Sequence, residues 1–242
     1  MSNVRDNEST AASVVDGYAR LLSLAAHEFR TPASVVGGYL RMLQKDTESP
    51  LSERQQKMVD EAFKACTRLG ALFAELSEVG KLDNNTAPVK AERFDLFTDL
   101  DDVARNVHSA EDREVRLQLS GMPDGAPLTG DRTRLNSAFD AFFRAVLREQ
   151  PTAVTMVADR RLIQSANSTA AIVVIARETD VQRAYDAVAR PFDEHRGGVG
   201  LSLAIARRVV ERAGGRVWSP TPDNADDRGL RSAVLVSIPL AE

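Results

Sequence analysis

The chain has almost no cysteine, no long apolar run and no strong charge of one sign. Cys66 is the one cysteine among 242 residues. It excludes an internal disulfide and any multi-cysteine metal centre. The apolar runs fall far short of the roughly 18–20 residues needed to cross a bilayer, so no membrane span is expected. The 31 basic and 35 acidic residues leave a net charge of −4. A protein that grips nucleic acid through phosphates carries a basic excess or patch, and none is visible. The first residues, MSNVRDNESTAAS, are polar and make no signal peptide. A soluble, cytoplasmic location is expected, for the chain alone or as the cytoplasmic part of a longer protein. The remainder is ordinary globular composition: 43% hydrophobic, 27% charged and 5% aromatic. Collagen-like, mucin-like and wholly disordered readings are excluded. The length suits one large domain or two small ones.

Residues 1–12 read as a flexible tail. Residues 13–83 read as an antiparallel helical hairpin. The first helix, Ser13–Gln44, places apolar or small residues at Tyr18, Leu22, Ala25, Phe29, Pro32, Val36, Leu40 and Leu43. These steps of four and three mark a coiled-coil-like seam. Ser52 and Gln55 have the spacing of a capping box for a second helix. That helix repeats the pattern through Met58, Ala62, Ala65, Leu69, Leu72, Leu76 and Val79, and Gly80 is expected to end it. A hairpin cannot cover one long seam alone, so two copies are expected to form a dimeric four-helix bundle. Residues 84–92 read as a linker, and residues 93–242 mix strands and helices. Helices on one side of a mixed sheet make a two-layer α/β sandwich.

One histidine in the first helix stands out. His27 lies two positions from both Ala25 and Phe29, roughly 200° around the helix from each, so it projects outward. Glu28 beside it can orient the imidazole, whose neutral nitrogen is a competent nucleophile toward phosphorus. Thr31 follows one turn later, and Pro32 should bend the helix. A lone histidine of this kind is most often a solvated surface residue. The string Ala26-His27-Glu28-Phe29-Arg30-Thr31-Pro32 changes that reading. It closely resembles the phosphoacceptor box of bacterial sensor histidine kinases. The resemblance implies that His27 carries a phosphoryl group. It also implies that Glu28 assists proton transfer and that Thr31 helps position water when a partner regulator is dephosphorylated. His108 and His195 have no comparable setting and read as surface or loop residues.

The same family places an ATP-binding α/β domain after the hairpin, and the order of elements in residues 93–242 is similar. Its signatures are incomplete here. A family helix carrying two asparagines aligns with Ala141–Arg148, and both asparagine positions, 141 and 145, are alanine. Magnesium needs hard oxygen ligands, which a methyl group does not supply. Arg148 keeps a cation where the family has lysine, although it reads equally well as a solvated helix charge. The family's adenine loop has an aspartate and two glycines. Here Glu178 and Asp180 are the available carboxylates, and no glycine occurs between Asp131 and Arg196. The last signature is better kept. Gly197-Gly198-Val199-Gly200-Leu201-Ser202-Leu203-Ala204-Ile205 resembles a phosphate-cradling glycine loop before a helix, with Gly198 and Gly200 as candidate phosphate contacts. Phe192 matches a short phenylalanine box upstream.

The favoured expectation is therefore a phosphorelay protein that exchanges phosphate between His27 and response-regulator aspartates, with weak or no ATP use. It resembles histidine phosphotransferases whose dimeric hairpin precedes a degenerate kinase-like domain. Two alternatives stand beside it: a working kinase that autophosphorylates His27, and a dimeric scaffold that docks regulators without carrying phosphate. ATP and magnesium enter only under the kinase alternative, and no metal ligand is assigned. The expected partners are receiver domains and a second copy of the chain.

Overall fold

Ser52 settles where the hairpin turns. Its hydroxyl accepts the Gln55 backbone N–H, and the Gln55 side chain accepts the Ser52 N–H. This reciprocal cap satisfies two donors at the helix start. The computed structural model describes residues 2–107, 111–165, 168–177, 181–221, 230–231 and 233–240. Helix α1 spans Ser2–Lys45 and helix α2 spans Glu53–Asp83. Helical backbone thus begins at Ser2, within the stretch read as a tail. It also passes through Pro32 without ending. Helix α2 continues past Gly80 and stops at Asn84, whose N–H bonds to the Gly80 carbonyl.

The hairpin seam differs from the expected one by about one residue, roughly 100° of helix rotation. Helix α1 faces α2 through small residues. Ala19 and Ala26 are buried. Gly37 lies against Cys66, and the Cys66 thiol donates to the Ala33 carbonyl at 2.9 Å. Gln44 Nε2 bonds Asp60 at 2.7 Å, and the Phe29 and Phe73 rings stack at 5.6 Å. Near the other end, a Cβ on Gly80 would lie 2.5 Å from Ser23 Oγ and 3.0 Å from the Ala19 carbonyl oxygen. The bulkier side chains make a second stripe that α2 leaves open. Tyr18, Leu21, Val36, Tyr39 and Leu43 are all exposed, Tyr39 by 64%. Small residues let two backbones approach, which is why they hold the inner seam and the large ones the outer.

Residues 88–242 form a separate unit. Strand β1 (Ala91–Asp95) pairs antiparallel with β3 (Pro127–Asp131). A six-stranded sheet has the order β2-β4-β5-β8-β7-β6, with β2 (Val115–Gly121) parallel to β4 (Val154–Ser165). The other neighbours are antiparallel: β5 (Ser168–Ala176), β8 (Val234–Pro239), β7 (Arg216–Pro220) and β6 (Ala189–Pro191). Helices α3 (Leu96–Arg105), α4 (Arg132–Arg148) and α6 (Ser202–Arg212) pack together, and α4 buries Phe139, Phe142 and Phe143. A further helix, α5 (Val181–Asp186), was not expected. It joins Val174, Trp218 and Leu235 in an apolar cluster. Leu235 is the register partner of both Val174 and Trp218, so these three share one face of the sheet.

Two aspartates open helices in this unit. Asp95 caps α3, and Asp131 caps α4. Burial pushes the Asp95 carboxyl up. The N–H groups of Thr98, Gly125 and Ala126 and the Thr98 hydroxyl outweigh it and hold the group below the usual carboxylate range. Burial likewise opposes, and hydrogen bonds and charge from Arg134 outweigh, to lower Asp131.

Candidate functional site

Two places carry the residues singled out by sequence. In the hairpin, the His27 side chain is 73% exposed and that of Glu28 is 71% exposed. The His27 Nδ1 lies 3.3 Å from Glu28 Oε1. A carboxylate only accepts, so a hydrogen bond here takes its proton from Nδ1, and in the neutral imidazole that leaves the lone pair on Nε2. Thr31 is exposed one turn along. The same side of α1 continues to Ser34, Gly38 and Arg41. With Phe63, Cys66 and Gly70 of α2 these residues line a shallow cavity of about 310 Å³. The result is a nucleophilic nitrogen facing solvent, above a furrow floored by small residues.

The second place is the junction of α4 with the glycine loop. Ala141 and Ala145 are buried on the α4 face toward that loop. Gly197 has φ of 62°, in the left-handed region. A Cβ there would sit 2.5 Å from Ala145 Cα and 2.6 Å from its carbonyl oxygen. The loop therefore rests on the α4 backbone, and no separate cradle lies between them at this point. Phe192 meets Phe142 edge-on at 5.6 Å. Gly198 and Gly200 are exposed, both with positive φ, and a Cβ on Gly198 would touch nothing within 4 Å. Arg148 is exposed at the last turn of α4. Arg148, Gly198 and Gly200 thus lie at the surface, while Gly197 and Arg196 make the close contacts. Arg196 was not a candidate, since an arginine in a loop reads as a solvated charge. Its guanidinium forks onto Glu149, Nε to Oε1 at 2.9 Å and Nη2 to Oε2 at 2.6 Å.

Positions 141 and 145 offer no oxygen ligand for magnesium. Alanine methyls stand at both asparagine positions, and the loop occupies the space above Ala145. Among the described residues, no group of three or more His, Cys, Asp or Glu side chains could hold a metal. Glu178, Asp180 and His108 lie outside the described residues. His195 is exposed in the loop. No helix among the described residues is long and apolar enough to cross a membrane.

Residues 18–85 match the His Kinase A (phospho-acceptor) domain family. That span holds His27, its box and both arms of the hairpin. The hairpin is thus of the phospho-acceptor type, and the chain as a whole is similar to bacterial sensor proteins of the histidine kinase kind. It is 26% identical over 218 residues to the swarming motility regulation sensor protein RssA of Serratia marcescens, covering 87% of this chain and 45% of that protein. The chain thus spans under half the length of this curated relative. Solved histidine kinases share the order of hairpin and α/β domain. Full-length ShkA, determined with AMPPNP, has a TM-score of 0.65 at 18% identity over 91% of this chain and 45% of its own. The histidine kinase AdeS of Acinetobacter baumannii has a TM-score of 0.52 at 18% identity, over 89% of this chain and 97% of its own. Histidine kinase ThkA, determined in complex with response regulator TrrA, also scores 0.52, at 16% identity over 92% of this chain and 61% of its own. At these identities the likeness is one of fold.

Proposed function

We propose that this chain is a phosphotransfer protein of a two-component or phosphorelay system, carrying phosphate on His27 and using no ATP of its own. The observation that carries the reading is the seat of Gly197 on the Ala145 backbone. It brings the loop backbone against α4 beside Ala145, whose methyl group offers magnesium no oxygen ligand.

The chemistry needs little from the rest of the molecule. A receiver domain docks along the hairpin beside His27 and presents an aspartyl phosphate. The Nε2 lone pair attacks phosphorus, a P–N bond forms, and the P–O bond to the aspartate breaks. The carboxylate leaves with that electron pair. Glu28 keeps hold of the Nδ1 proton, and its negative charge offsets the positive charge building on the ring. The reverse sequence passes the phosphoryl group to a second receiver. Thr31, one turn away, is placed to orient a water toward an aspartyl phosphate when the regulator is dephosphorylated. The open stripe of Tyr18, Leu21, Val36, Tyr39 and Leu43 supports pairing with a second copy into a four-helix bundle.

The test is transfer of label. Incubation with a receiver domain phosphorylated on aspartate should label the wild type, and His27→Ala should take up none. Label from ATP on His27 in the purified chain would overturn the reading in favour of the kinase. The retained run from Gly197 to Ile205 is what supports that second reading. Absence of label by both routes would leave a scaffold that docks regulators.

A further inference from the structure

The loop from Phe192 to Arg196 is pinned at every second residue. Phe192 rests edge-on against Phe142 of α4. Glu194 pairs with Arg207 of α6 and lies 3.8 Å from Arg208. Arg196 turns inward, its side chain only 7% exposed. It grips both carboxylate oxygens of Glu149 and reaches the Ala233 carbonyl at 3.5 Å. The three anchors tie one short loop to α4, to α6 and to the segment leading into β8.

A glycine loop in front of a helix is suited to an anionic ligand, because its N–H groups are left for one. Here the loop's own arginine, Arg196, is not offered outward to such a ligand. It is used up inside, by a carboxylate of the chain itself. Gly197, which alone can take φ of 62° with no Cβ against Ala145, lets the chain drop far enough for this contact. We propose that the Arg196 guanidinium is the internal ligand that closes the glycine loop on α4, so that order in this loop does not depend on a nucleotide. The inference rests on the nucleotide-free reading above and adds its cause. The α/β unit offers a preformed surface, with Gly198 and Gly200 at its crest, rather than one that waits for a ligand.

Hydrogen–deuterium exchange on the full chain tests this. Amides from Phe192 to Gly200 are followed in the wild type with and without millimolar Mg-ATP, and in Arg196→Ala and Glu149→Gln. Removing one partner of a buried pair leaves the other uncompensated, an effect large enough for about 100-fold faster exchange. Arg196→Ala should reach that level in the loop. Glu149→Gln, which keeps the shape and loses the charge, should fall between. Protection in β5 should be unchanged in both, which separates release of the loop from general unfolding. Mg-ATP should leave the wild-type loop unaltered. Loop exchange within about threefold of wild type in both variants would overturn the latch and leave the phosphotransfer reading standing. Slower loop exchange in the wild type on adding Mg-ATP would overturn both.

Discussion

Adjacent glycines in the loop give a prediction with its own control. Gly197 and Gly198 have nearly the same backbone, with φ of 62° and 60°. A non-glycine residue there costs about 1–2 kcal/mol in either case. Their surroundings differ. A methyl on residue 198 meets nothing within 4 Å, whereas one on residue 197 would lie 2.5 Å from Ala145 Cα. Ala145 is buried in the last turn of α4, packed into the core, and cannot step back, so the loop must lift. Overpacking of this kind adds about 1–3 kcal/mol. Gly198→Ala should therefore cost about 1–2 kcal/mol, and Gly197→Ala about 2–5 kcal/mol. For a unit of this size each kcal/mol lowers Tm by about 2–4 °C. Trp218, the single tryptophan, is buried in the α/β unit. Its fluorescence during urea or thermal unfolding reads that unit alone. Equal losses in the two variants would refute the claim that the loop is seated on α4.

Other outcomes follow from the same contacts. Gly80→Ala sits inside a helix, where the change ordinarily stabilises by roughly 1 kcal/mol. Here the new Cβ meets Ser23 Oγ at 2.5 Å, so Gly80→Ala should destabilise the hairpin, and adding Ser23→Ala should recover part of the loss in circular-dichroism melts. Asp95 and Asp131 have carboxyls held below the ordinary value. Their contribution is fully present above about pH 4 and is lost as pH falls through the folded-state values. The Trp218 unfolding midpoint should drop in that acid range, and Asp95→Asn should flatten the drop; an unchanged slope would contradict the caps. Val36→Glu or Tyr39→Glu places a charge on the open stripe of α1. Either should give a monomer by light scattering while helix content is kept, and a persistent dimer would show that another face does the pairing.

The hairpin and the string around His27 were legible because they are local. The spacing of His27, Glu28, Thr31 and Pro32, the 3–4 periodicity and the Ser52–Gln55 cap are all set within one or two helical turns. Helix α4 is local in the same way, since a capping aspartate, Asp131, and an apolar face within 17 residues define it. The inner seam was displaced because size misleads: the bulky side chains draw attention, but close helix contact selects Ala19, Ala26, Gly37 and Gly80. Helix α5 and the paired strands β1 and β3 escaped notice because such short elements gain their stability from partners distant in sequence. Chain order alone placed a glycine loop after a helix with two alanines. Only the folded molecule brings Gly197 onto Ala145 and Arg196 to Glu149, 47 residues away, because a buried ion pair between loop and helix exists only once the sheet has set both in place.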